Sequence, residues 1–238
     1  MQLIGIGMLF IVVNYGFSER DMSQISAFDP HALIIVLCGS MAAILTGSRS
    51  RHSLKTLLCL RELLPLPGGL GAESAALEEE RQRLVTHWRE GRRAQAVQVG
   101  EGSTHPAIKL LLSLTLQRAS AQQIESRFLE HRHGFLSEWQ PASSNWSLLA
   151  RLGPSMGMVG TITGMIQLFK GMGADDLNIG AAMSLALVAT LYGIAFGAGI
   201  AGPIGHYLRG LLEERVAVID RCRQSAIELA EQPMKRGT

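Results

Sequence analysis

The chain has 238 residues, of which 47% are hydrophobic and 18% charged. Its formal net charge of +2 gives no argument for a nucleic-acid partner, and its three cysteines, Cys38, Cys59 and Cys222, are scattered without metal-ligand spacing. A mean hydropathy of +0.19 leans toward a membrane protein, with the uncharged stretches near the ends of the chain and the charge in its middle.

In chain order, "MQLIGIGMLFIVVNYGF" (1–17) is apolar apart from Gln2 and Asn14. It lacks the basic start and the small-residue cleavage site of a signal peptide, so it reads as a retained membrane helix. Residues 31–47 form a second apolar run, with Asp29 and Pro30 suited to N-cap and first-turn positions. The block that follows reads as helical, with a break at "PLPGG" (65–69) and helices predicted over 73–97, 105–119 and 121–140. Gly91 is a breaker in the first of these, Pro106 opens the second, and Ile124, Phe128 and Phe135 line one face of the third. Residues 152–169 and 179–208 give a third and a fourth apolar run. Leu212, Val216, Ile219 and Ile227 then fall near one side of an amphipathic tail that continues the fourth run as a stalk.

The expected fold is an all-α polytopic membrane protein. Transmembrane helices 1 and 2 occupy 1–47, a helical cytoplasmic insertion 48–150, transmembrane helices 3 and 4 151–208, and a helical cytoplasmic tail 209–238. Charge sets the orientation: Arg49, Arg51 and Lys55 follow the second span, Arg209, Arg215 and Arg221 follow the fourth, and the other two links are poor in net positive charge. The positive-inside rule puts both termini and the insertion in the cytoplasm.

Small residues are ordered in the last two spans. Ala189, Gly193, Gly197, Ala201 and Gly205 recur at every fourth position, and Gly153, Gly157, Gly160 and Gly164 form a second seam. Such stripes let helices approach closely. No Asp, Glu, Lys or Arg lies inside any predicted span, although an ion-moving membrane protein usually depends on an intramembrane carboxylate. Either the chain moves no ions or a partner brings the carboxylate. Its own polar groups there are hydroxyls, with Thr161 and Thr190 near one depth on neighbouring helices. Pro154 and Pro203 match in level near the cytoplasmic side; Pro154 opens or kinks its helix, and Pro203, inside a helical run, marks a bend. The histidines and acids show no ligand or catalytic spacing, so no metal, cofactor or enzymatic activity is expected.

"GPSMGMVGTITGM" (153–165), "AMSLALVATLYGIAFGAGIAGPIGHYLR" (182–209) and "FDPHALIIVLCGSMAAIL" (28–45) together resemble the MotA/ExbB/TolQ family of ion-driven motor subunits, on its MotA branch. The resemblance implies a bacterial inner-membrane protein, a homo-oligomer, in that family a pentamer, around two copies of a single-span MotB-like partner. The partner's membrane aspartate accepts the ion beside Thr161 and Thr190, and Pro154 and Pro203 couple ion flow to cytoplasmic movement. It also implies contact with a cytoplasmic rotor protein. Family members commonly carry "RREGLLALE" there, whereas "WREGRRAQA" (88–96) has Trp88 for the first Arg and Ala96 for the Glu, leaving Arg89, Glu90, Arg92 and Arg93 as candidate rotor contacts. Sodium-type relatives often add a threonine where this chain has Ala189, so the ion is expected to be the proton. A motor for another load and a passive membrane scaffold are the competing readings.

Overall fold

A computed structural model describes residues 30–48, 55–56, 58–60, 69–171 and 179–231. Every regular element among them is helical. The predicted first span and Asp29 lie outside the described residues. The chain forms two compact units, one drawn from 1–63 and 141–208, the other from 64–140 and 209–238.

The first unit opens with α1 (Pro30–Gly47), which buries Ala32, Val36, Ser40 and Ile44 along one stripe. Ser40 donates its hydroxyl to the Val36 carbonyl at 2.6 Å, which removes the cost of burying it. Helix α5 (Ala121–Gly171) belongs to both units and contributes its second half here. It is followed by α6 (Ile179–Ile194), a π-helical segment (Ala195–Ala201) and α7 (Gly202–Glu231), which also belongs to both units. Ala32 packs with Val188 and Ala189, seating α1 on α6. Beyond Gly47, a short segment is tied to α5 by a buried polar knot. Asn145 donates to the Thr56 hydroxyl at 2.8 Å, the Trp146 indole donates to the Thr56 carbonyl at 2.9 Å, and Ser48 donates to Asn145 at 2.9 Å.

Two helical runs among the described residues are long and apolar enough to cross a membrane, Pro30–Gly47 and Ala186–Glu231. The predicted third span is no separate element: it is the end of α5, and Pro154 does not open it. The helix starts at Ala121 and holds both Pro141 and Pro154 in its interior.

The second unit contains α2 (Leu70–Arg89), α3 (Arg93–Gly102), α4 (Pro106–Leu116), the first part of α5 and the remainder of α7. The helix expected over 73–97 is split at Gly91. This glycine adopts φ +79°, where its N–H donates to the Trp88 carbonyl and the Arg92 N–H to the His87 carbonyl. That is the Schellman stop, and it needs the left-handed residue that glycine supplies without strain. Pro106 opens α4 as expected. The core is aliphatic and aromatic, built on Leu77, Leu84, Ile108, Leu111, Ile124, Phe128 and Ile219, with Phe135 packed at its margin. The tail's buried face is rotated from the expected one. Leu212 and Ile219 are buried, but Val216 and Ile227 are half-exposed, and Arg215, Val218, Cys222 and Leu229 lie inside. Arg215 can sit there because it donates to the Glu73 carbonyl at 2.8 Å and lies 3.9 Å from the Glu73 carboxylate.

Candidate functional site

The two threonines meet. Thr161 of α5 and Thr190 of α6 share a hydroxyl–hydroxyl hydrogen bond, and both hydroxyls lie 3.2 Å from the Ala186 carbonyl. Thr161 also lies 3.2 Å from the carbonyl of Gly157. Two donor hydrogens therefore face two hydroxyl and two carbonyl oxygens. The hydrogens can be dealt in more than one way without moving a heavy atom, and lone pairs are left over in every arrangement. Both side chains are half-buried. Thr163, two residues on, donates back to Val159 of its own helix at 2.9 Å.

The glycine seams make that meeting possible, because they face each other within one chain. A β-carbon on Gly193 would stand 2.5 Å from the Gly153 carbonyl oxygen, and one on Gly153 would stand 2.7 Å from the Gly193 carbonyl oxygen. One on Gly157 would meet the Ala189 carbonyl at 3.0 Å and the Thr190 Cα at 3.1 Å. The backbones themselves are in contact, and each glycine directs a Cα–H at a carbonyl of the other helix. Ala189 is fully buried, and its methyl fills the notch left by Gly160. Gly164 and Ala201 are also buried. The face of α5 opposite the seam exposes Met158, Ile162, Ile166 and Phe169.

The two prolines flank the π-helical segment. Gly197, in its middle, lies against Pro154: a β-carbon there would be 2.5 Å from the proline Cδ and 2.7 Å from the Ala150 carbonyl. That carbonyl is the one Pro154, without an N–H, leaves unpaired in α5. Pro203 sits in the first turn of α7, directly after the segment. The segment directly before Pro203 is thus a widened helix. Helices with i→i+5 bonding are rare and concentrate at functional sites, and periodicity does not announce them. The Ala186 carbonyl was equally hidden, since a backbone oxygen has no side-chain signature.

The candidate rotor contacts lie in the second unit. Arg89 pairs with Glu228 at 2.9 Å, Arg92 pairs with Glu90, and the Arg93 guanidinium stacks 5.3 Å over the Trp88 ring. Trp88 packs on the core and Ala96 is fully buried. The two positions that depart from the family's charged pattern are therefore apolar residues on the inner side. Nearby, Arg81 and Arg221 converge on Glu78, at 2.5 and 3.0 Å. The hydrogen bond from Arg81 leads the causes that hold the Glu78 carboxyl down at about 2.

Residues 101–221 match the sequence model of the MotA/TolQ/ExbB proton channel family. Motility protein A of Bacillus subtilis is 23% identical over 235 residues, covering 97% of this chain and 84% of the relative. Two solved structures share the fold, each with a TM-score of 0.73. Among the matches, these are the C. jejuni MotAB structure (16% identity, 97% of this chain and 89% of that one) and the flagellar MotAB stator complex of Bacillus subtilis (22% identity, 96% and 89%).

Proposed function

The chain belongs to the MotA/TolQ/ExbB proton channel family, and from that premise we propose that it is a stator-type motor subunit. With a single-span MotB-like partner it forms an ion pathway in the bacterial inner membrane and converts ion-motive force into rotation of the flagellar motor. In this reading four spans place both termini in the cytoplasm, and a homopentamer surrounds two partner copies. The chain acts as a channel and motor subunit, not as an enzyme.

The observation that carries the proposal is the Thr161–Thr190 pair over the Ala186 carbonyl. It concentrates rearrangeable donors and free lone pairs on a helix pair whose predicted spans hold no charged residue. Such a patch suits a carboxylate brought by a partner: the hydroxyls donate to it when ionised and accept from it when protonated. The ion is the proton in this proposal. Ala189 packs its methyl into the Gly160 notch and has no side-chain oxygen to help replace a sodium ion's hydration shell.

Thr190→Val tests it. The swap keeps shape and removes one hydroxyl, and a hydrogen bond to a charged group is worth about 1.5–3 kcal/mol. Partner-dependent proton flux should fall roughly tenfold or more while the complex still assembles. Unchanged flux would leave a passive scaffold.

A second reading concerns the load. Trp88 on the core and the fully buried Ala96 replace the two charges of the family's rotor motif, which favours a motor that drives something other than a flagellar rotor. Deleting the gene separates the two readings: loss of swimming with normal flagella supports the flagellar load, and intact swimming removes it.

A further inference from the structure

We propose that the groove between α2 and α7 in the second unit is a binding site for a small soluble phosphate monoester of the sugar-phosphate type. This goes beyond the motor reading and does not depend on it.

The argument starts from a carboxylate with no lone pair left to offer. Glu78 accepts from Arg81 Nε at 3.1 Å and Nη2 at 2.5 Å, from Gln82 at 3.0 Å and from Arg221 Nε at 3.0 Å. An ionised carboxylate has about four lone-pair sites, so Glu78 is saturated. Its carboxyl, held at about 2, stays ionised at physiological pH and fixes both guanidiniums. The donors around it are not saturated in turn. Arg221 commits only Nε, and its two Nη groups meet no acceptor among the described residues. Arg81 places Nη1 on the Ser225 hydroxyl at 2.8 Å. Ser225 accepts there and donates to no group among the described residues, so its hydrogen is available.

These open donors converge on one cavity of about 430 Å³, within the usual range for a small-molecule site. Arg81, Thr86 and Arg89 line it from α2, and Arg221, Gln224 and Ser225 from α7. Guanidinium forks match the oxygens of a phosphate. Among the described residues no aromatic side chain lines the cavity, so a nucleobase would have nothing to stack on. Thr86, Gln82 and Gln224 instead offer neutral hydrogen bonds, which suit the hydroxyls of a sugar or polyol. The charge fits as well. Glu228, the one carboxylate in the lining, pairs with Arg89, and both are more than half exposed, so that pair opens at little cost. With Glu228 turned to solvent, three guanidiniums against Glu78 leave two positive charges. A phosphate monoester carries about −1.5 to −2 at pH 7 and neutralises them, whereas a phosphodiester carries half as much.

The test is calorimetric titration of the full-length chain, purified in detergent, with glucose 6-phosphate at constant ionic strength. Saturable binding of one molecule per chain is expected. Because the site joins helices that meet only in the folded chain, the ligand should also raise the denaturation midpoint. Inorganic phosphate should compete, and sulfate and the diester glycerophosphoglycerol, the headgroup of a common anionic lipid, should compete far less. Arg221→Gln should weaken binding roughly tenfold or more. Ser225→Ala leaves the charge unchanged and should weaken it about threefold or more. Arg83→Gln removes the same charge from α2 at a residue outside the cavity, paired with Glu79, and should leave affinity within about twofold. Ligand-free midpoints, measured first, identify any variant that has lost its fold, and Ser225→Ala keeps the test decisive if Arg221→Gln is one. No saturable binding at millimolar glucose 6-phosphate overturns the proposal. So does an Arg83→Gln loss equal to that of Arg221→Gln, or competition by the diester as strong as by phosphate, which would make the site a general anion surface or a lipid-headgroup site.

Discussion

The two units hold their helices together by opposite means. In the first, α5 meets α6 and the π-helical segment through Gly153, Gly157 and Gly160 against Ala189, Gly193 and Gly197, with backbone touching backbone. In the second, α2, α4, α5 and α7 meet through Leu84, Ile108, Leu111, Phe128 and Ile219, and arginine–glutamate pairs surround that core. The contrast fits the proposed placement of the first unit in lipid and the second in water. In water, burying a leucine or phenylalanine gains about 1.5–3 kcal/mol. In hydrocarbon that gain vanishes, because lipid is as apolar as the side chain, and close approach and polar contacts must serve instead. The first unit should therefore fail when atoms are added, and the second when they are removed.

Gly193→Val is the most severe way to test that contrast. Its β-carbon would lie 2.5 Å from the Gly153 oxygen and 2.9 Å from the Gly157 Cα, and both are backbone atoms with no rotamer to change. The cost should exceed the 1–3 kcal/mol typical of overpacking a side-chain core. The expected outcome is no assembled complex by size-exclusion chromatography in detergent. Normal assembly would mean the seam is not a close contact. Phe128→Ala is the counterpart in the second unit. Phe128 is 1% exposed, and the truncation should cost about 3–5 kcal/mol in chemical denaturation. Ile162→Ala, at 61% exposure on the open face of α5, serves as the control and should leave the isolated chain within about 0.5 kcal/mol.

How legible these features were depended on the kind of signal. The small-residue repeats were plain, because a period of four on a helix is a face, and the structure sets the two faces together. The Thr161–Thr190 pair followed from counting residues along two helices at a constant rise. The Schellman stop at Gly91 was visible as a glycine in a charged helix. The rotated face of α7 was not, because Arg215 reads as a solvent residue until Glu73 is placed beside it. Pro154 was ambiguous because a proline has the same φ at the start of a helix and inside one; only the helix preceding it decides. The π segment was illegible, because its cause is distributed: Pro203 downstream, and glycines that look like more of the same seam.

The weakest effects belong to the charges of the second unit, and they separate inner from outer pairs. Glu78 keeps its carboxyl near 2 against an ordinary 4.5, chiefly through Arg81. A lowered folded-state value means its stabilisation is complete above about 4.5 and is lost as pH falls from there toward 2. Glu78→Gln should flatten the acid limb of a denaturation-midpoint profile across that window, and an unchanged limb would show that the pairing with Arg81 and Arg221 is not maintained in solution. Arg89 and Glu228 are 55% and 56% exposed, so water and salt screen them. Arg89→Ala should change stability by no more than about 1 kcal/mol. That small cost makes the position informative: if torque or swimming falls while the denaturation midpoint stays put, Arg89 meets a partner. If neither changes, the pair with Glu228 is an ordinary solvated contact, and the motor's load engages another surface.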